Sequence, residues 1–146
     1  MCWTTRQDIF LQPIKTKGDI PIFKICLPTS NKNCIISFHQ TFLYDLNKVY
    51  KLKDRDISLV LPTVNWTTTV ASIYEGFHSY ITDCKLYDNL VGHVYVNGIN
   101  AETIGVYGKS QVVKVFGYIP KGSTYYINER GECVSNSICL TEIKNL

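Results

Sequence analysis

The chain has 146 residues, 45% of them hydrophobic and 18% charged, with a formal net charge of +3. That is the length of one domain with enough apolar content to bury its own core, and the ordinary composition excludes a disordered or low-complexity chain. The longest apolar runs, IPIFKICL at 20–27 and ISLVL at 57–61, fall far short of the roughly 20 residues a helix needs to cross a bilayer, so no membrane role is expected.

The start, MCWTTRQDIF, lacks the basic residues and apolar stretch of a secretory signal, which points to the cytoplasm and to reduced thiols. The cysteines Cys2, Cys26, Cys34, Cys84, Cys133 and Cys139 include no pair two residues apart, so neither a metal site nor a disulfide framework is expected. Apolar runs rich in Val, Ile, Thr, Tyr and Phe predict strands at 20–27, 34–39, 49–53, 57–61, 75–81, 91–96, 102–107, 111–119, 124–128 and 137–143. Phe42, Leu43, Leu46 and Val49 follow a helical spacing and predict a helix within 38–50, while 67–74 fits a short helix or another strand. Asn97-Gly98 is a two-residue hairpin signal, and Asn128 to Gly131 reads as a second turn. No repeat or linker divides 1–146. The expected fold is therefore one α+β domain, mostly antiparallel sheet with one or two short helices.

The stretch YEGFHSYITDC at 74–84 concentrates polar chemistry. On a strand, Phe77, Ser79 and Ile81 share one face and His78, Tyr80 and Thr82 the other. The second row offers imidazole and hydroxyl groups and one stacking plane to a sugar or nucleotide, although plain β-propensity also accounts for Tyr80 and Thr82. Along a continuous strand Cys84 lies roughly 20 Å from His78, too far for a nucleophile and its base, leaving His39 or His93 as its remaining candidates. Glu75, Asp83, Glu102, Glu132 and Glu142 stand singly, and no phosphate-cradling glycine motif occurs, so no catalytic residue is assigned. In YIPKGSTYYINERGECVSNSICL at 118–140, Lys121, Gly122 and Ser123 bring together a cation, exposed backbone amides and a hydroxyl. That set suits a phosphate as well as it suits a solvated turn. Twelve lysines are scattered among only three arginines, Arg6, Arg55 and Arg130, which disfavours nucleic acid and leaves room for a local pocket for a small anion.

MCW with DIPIFKIC at 19–26, YEGFHSY at 74–80 and IPKGSTYYINERGECVSNSI at 119–138 together resemble a family of small uncharacterised proteins from gut Bacteroidales and their phages. The resemblance implies a setting, the cytoplasm of an infected host, and no established activity. A looser similarity to the ADP-ribosyltransferase fold would set Lys24, Ser79 and Glu132 or Glu142 in the places of its early basic residue, middle serine strand and late glutamate. The early arginine and the Glu-x-Glu or Gln-x-Glu pair of that fold are absent here. The function expected is a non-catalytic binder of a small anionic, nucleotide-like ligand, in that setting a sequestered immune signal of the host. His78, Tyr80, Thr82, Lys121, Ser123 and Lys24 are its candidate contacts, with no cofactor and no metal. A module that blocks a host protein is the first alternative and a NAD- or nucleotide-processing enzyme the second; a homo-oligomer is compatible with the binder.

Overall fold

The computed structural model describes residues 3–7, 12–37, 42–52, 71–73, 76–84, 95–96, 99–100 and 113–144. Fourteen strands and no helix lie among the described residues. They are β1 (Trp3–Thr5), β2 (Ile14–Lys15), β3 (Ile20–Pro28), β4 (Cys34–Ser37), β5 (Leu43–Asp45), β6 (Val49–Lys51) and β7 (Ala71–Ile73). After these come β8 (Phe77–Ile81), β9 (Tyr95–Val96), β10 (Ile99–Asn100), β11 (Val113–Ile119), β12 (Thr124–Ile127), β13 (Glu132–Ser135) and β14 (Ser137–Lys144). All pairings are antiparallel. The β-rich expectation holds, and the predicted strands at 57–61 and 102–107 lie outside the described residues.

The main sheet runs β2-β12-β13-β8-β3-β11-β14-β6, with β4 and β5 continuing from β3. Because β13 and β14 are one chain segment interrupted only by Asn136, the path from β13 through β8, β3 and β11 to β14 returns to its own start. The sheet therefore curls on itself, and its inner face becomes a closed core. Ile22 and Cys26 of β3, Phe77 of β8, Val113, Val115 and Ile119 of β11, Cys133 of β13, and Ile138 and Leu140 of β14 fill that core, joined by Ile35 and Tyr44 from the β4–β5 ladder. Each fully buried Ile, Val or Leu contributes about 1.5–3 kcal/mol, so among the described residues this cluster is the larger source of apolar stabilisation. A register shift between Phe116 and Gly117 in the β11–β14 ladder bends the sheet. Gly117 is required there, because a Cβ would run into the Cys139 carbonyl oxygen.

The outer face is covered where β1 pairs with β7, which buries Trp3 and Ile73 against Tyr126 and Val134. The turn at 128–131 holds β1 in place, as the sequence led one to expect of a turn there. Trp3 Nε1 donates to the Glu132 carbonyl at 2.8 Å, Asn128 Nδ2 to the Thr4 carbonyl at 2.8 Å, and Thr5 Oγ1 to Glu129 Oε2 at 2.8 Å.

The helix predicted within 38–50 does not form in its described part. Residues 43–45 and 49–51 are strands, and between them Asn47 takes a φ of 63°, a left-handed conformation that Asn tolerates and a helix cannot continue through. The same spacing that reads as helical instead turns Leu43 out and Tyr44 in, where Tyr44 meets Phe42, Tyr50 and Phe77. Residues 71–73 resolve as strand. β9 and β10 pair Val96 with Ile99; the turn predicted at Asn97-Gly98 lies outside the described residues.

Candidate ligand-binding groove

Asn136 is the corner at which the sheet closes. Its N–H donates to the Thr124 carbonyl at 3.1 Å, continuing the β12–β13 ladder. The return bond does not go to its backbone: the Thr124 N–H donates to Asn136 Oδ1 at 3.0 Å, and the Asn136 carbonyl accepts from Leu52 N, just past β6, at 2.9 Å. The side-chain amide thus stands in for a carbonyl on one side, so that the real carbonyl can serve the other.

Between those two sides lies a groove of about 480 Å³, lined by Val49, Lys51, Leu52, Pro120, Lys121, Gly122, Ser123, Asn136 and Ser137. β6 supplies one wall. Its Lys51 is the direct cross-strand partner of Ser137, so the two side chains share a face roughly 5 Å apart at Cβ. The β11–β12 turn supplies the other wall. Ser123 N donates to the Pro120 carbonyl at 3.1 Å and Gly122 has a φ of 84°, the geometry of a type II turn, which needs glycine at its third position. No acidic side chain lines the groove among the described residues. Lys51 and Lys121 are exposed, and neither ammonium has a salt-bridge partner among the described residues. Ser137 is buried, and its Oγ has no hydrogen-bond partner among the described residues.

Of the residues that the sequence singled out, Lys121 and Ser123 line this groove, with one correction. The backbone amides at 121–123 are not exposed: Lys121 N donates to Asp19 Oδ1 at 2.9 Å, Gly122 N to the Thr16 carbonyl at 3.1 Å and Ser123 N also to Thr16 Oγ1 at 3.0 Å. Any anion bound here is held by side chains. Lys51, Asn136 and Ser137 escaped sequence reasoning, since only long-range strand pairing brings them to Lys121.

The other candidates do not join this groove. The row of His78 and Tyr80 is not an open polar face, because Tyr80 is buried and stacks on its cross-strand partner Phe23, with ring centroids 5.4 Å apart. Thr82 lies past the end of β8, exposed in the turn that Cys84 N closes by donating to the Ile81 carbonyl. His78 sits beside Glu132, with Nδ1 3.9 Å from Oε1, too long for a hydrogen bond, and Glu132 is in turn 3.7 Å from Arg130. Burial holds His78 below its ordinary pKa, so it is neutral at pH 7.

Lys24 is in the core. It shares the inner face with Ile22 and Cys26, and its Nζ donates to the His78 carbonyl at 2.6 Å. The local cause is a splay: β3 pairs with β8 only at Ile22 and Phe23, then turns to β4 from Cys26 onward. Ile81 N donates to the Gly131 carbonyl across β13, so by alternation His78 directs its carbonyl toward β3, where no strand meets it. Lys24 fills that gap, with the Tyr44 ring 5.9 Å from its ammonium. Desolvation lowers the Lys24 pKa and raises the neighbouring Cys26 thiol to about 12. It lies in the core, apart from the groove lining. The places that the transferase similarity assigned are also divided, since Lys24 and Ser79 face inward while Glu132 pairs with Tyr80 on the opposite face.

The five described cysteines are free thiols, and no group of three His, Cys, Asp or Glu side chains able to hold a metal occurs among the described residues. No described helix is long and apolar enough to cross a membrane. No protein-family model, curated protein or solved structure matches the chain.

Proposed function

We propose that this chain binds, without transforming, a small anionic ligand of nucleotide size in the groove between β6 and the β11–β12 turn. The observation that carries this reading is the groove's lining among the described residues: two lysines, no carboxylate, and an apolar side from Val49, Leu52 and Pro120 within about 480 Å³. Small-molecule sites fall at roughly 300–1,000 Å³ and combine apolar walls with a few placed polar groups. In the setting implied by the resemblance to proteins of gut Bacteroidales and their phages, such binding sequesters a nucleotide-derived immune signal in the host cytoplasm.

Equilibrium dialysis against AMP, NAD and cyclic dinucleotides, followed by heat denaturation and chromatography of what is released, tests it. Binding without transformation predicts one compound depleted from solution and recovered intact. Lys121→Glu removes a charge-assisted contact of about 1.5–3 kcal/mol, a loss of about 10- to 100-fold in affinity. Equal retention by a folded Lys51→Glu, Lys121→Glu double variant would sink the site assignment, and conversion of the compound would replace the binder with an enzyme.

A second reading has its own observation. Phe42, Leu43 and Val49 are 40%, 53% and 42% exposed, beside the packed rings of Tyr44 and Tyr50. Exposed apolar groups of this kind suit a protein partner. That reading predicts a host protein retained by the chain and released by Leu43→Asp, with no small molecule bound.

A further inference from the structure

We infer that the groove contains a phosphoryl subsite centred on Asn136 and Ser137, so that the ligand class is a phosphate monoester, free or on a nucleoside, rather than a carboxylate or a neutral nucleoside. This rests on the proposed groove and specifies what it recognises.

The orientation of the Asn136 amide follows from its hydrogen bonds. Oδ1 is the acceptor for Thr124 N, so Nδ2 is the end left over, and it has no partner among the described residues although Asn136 lines the groove. An amide nitrogen only donates. Ser137 stands next to it with a buried Oγ that also has no partner among the described residues. Leaving such a hydroxyl unpaired costs about 1–3 kcal/mol, and because the Oγ is closed to solvent it meets a ligand's acceptor by rotating about χ1 toward the groove. Lys51, directly across from Ser137, adds an ammonium from one wall, and Lys121 adds another from the opposite turn.

The lining residues thus carry four donor groups, two of them cationic, and no carboxylate among the described residues. A phosphate monoester carries close to two negative charges at neutral pH and three terminal oxygens in a tetrahedral arrangement, and can meet donors approaching from both walls. A planar carboxylate offers one charge and two oxygens. The ester substituent then lies along Val49, Leu52 and Pro120, which suits a nucleoside. Because its donors come from both sides of the Asn136 corner, a bound phosphoryl group also bridges the seam that the Asn136 hydrogen bonds hold together.

Titration calorimetry with inorganic phosphate, acetate, AMP and adenosine tests the subsite on the full chain. Phosphate and AMP bind, acetate gives no heat, and adenosine binds at least 10-fold more weakly than AMP. Asn136→Asp keeps an oxygen acceptor for Thr124 N but replaces the donor with a negative oxygen, so it abolishes phosphate binding and weakens AMP at least 10-fold. Ser137→Ala weakens phosphate several-fold while its melting temperature holds or rises, since the buried unpaired hydroxyl is gone. A merely structural Ser137 would not separate the two readouts. Phosphate affinity unchanged in both variants, or adenosine binding as tightly as AMP, overturns the subsite. AMP binding lost in Lys121→Glu but intact in Asn136→Asp refutes the subsite and spares the groove; a wild-type chain that binds neither AMP nor phosphate refutes this subsite, and failure across the nucleotide panel refutes the groove as well.

Discussion

Replacing Lys24 by methionine separates a buried amine from a functional cation. An ammonium inside the curled sheet forfeits several kcal/mol of hydration. Against this stand one charged hydrogen bond to the His78 carbonyl at 2.6 Å, about 1.5–3 kcal/mol, and the Tyr44 ring at 5.9 Å, near the outer limit for a cation–π contact. These contributions nearly cancel. Methionine has similar volume and no charge, but it leaves the His78 carbonyl unpaired at about 1–3 kcal/mol. Lys24→Met is therefore expected to lie within about 2 kcal/mol of the parent at pH 7. The pH dependence is the sharper readout. The folded pKa of Lys24 is lowered from 10.5 by desolvation, so between the folded and unfolded values the unfolded chain binds more protons. The parent gains stability as pH rises toward 10.5, with a slope of up to about 1.4 kcal/mol per pH unit, and the variant lacks that gain. Cys26 and Cys133, raised by burial to about 12, act in the opposite sense above the ordinary thiol range. Both are present in both proteins, but Lys24 and Cys26 shift one another, so the difference curve reports Lys24 alone below the ordinary thiol range and the Lys24–Cys26 pair above it. Urea unfolding of both chains from pH 7 to 10 measures it. Parallel stability curves, or a loss above about 4 kcal/mol at pH 7 with no change of slope, would refute a desolvated, structural Lys24.

Gly117→Ala puts a Cβ against the Cys139 carbonyl and within 2.8 Å of the Leu140 Cα; with only backbone to yield, it costs at least about 3 kcal/mol and lowers the urea midpoint accordingly. Trp3→Ala removes a fully buried indole and its bond to the Glu132 carbonyl, a loss of about 3–5 kcal/mol by the same assay, whereas Trp3→Phe keeps the ring contact and loses about 1–2 kcal/mol. Acid weakens the fold in two steps. His78, lowered by burial, takes up its proton more readily when unfolded, so stability declines as pH falls below about 6.5. Against a desolvation that raises it, Glu129 is held below its ordinary value by hydrogen bonds from its own backbone amide, Thr5 and the Arg6 amide and by Arg130. Its contribution is present above the unfolded carboxylate pKa and lost as pH falls through the lower, folded one. Unfolding midpoints from pH 7 to 3 check both, and His78→Gln removes the upper step.

The strands of the core were legible because IPIFKICL, QVVKVFGYI and SICL are apolar runs whose ends carry turn residues. Burial of Lys24 had a signal too: Ile22, Lys24 and Cys26 alternate on one face of a strand, which sets a lone lysine among core residues. The helix within 38–50 failed because four apolar residues, Phe42, Leu43, Leu46 and Val49, mimic a 3.6-residue period, while Asn47 breaks the chain with a positive φ. His78 and Tyr80 alternate away from the core as expected, but a second layer and the Phe23 ring cover that face, which no local pattern reveals. The groove was half visible. Lys121 and Ser123 belong to a readable turn, whereas Lys51 reaches it only through its pairing with Ser137 and Asn136 only through the closure of the sheet.

The most direct measurement is a titration of ¹⁵N-labelled chain with AMP, following backbone amide shifts. The groove predicts saturable changes concentrated at Lys51, Leu52, Lys121 to Ser123, Asn136 and Ser137, with His78 and Tyr80 still. Shifts confined to β8, or none at millimolar AMP, would contradict it.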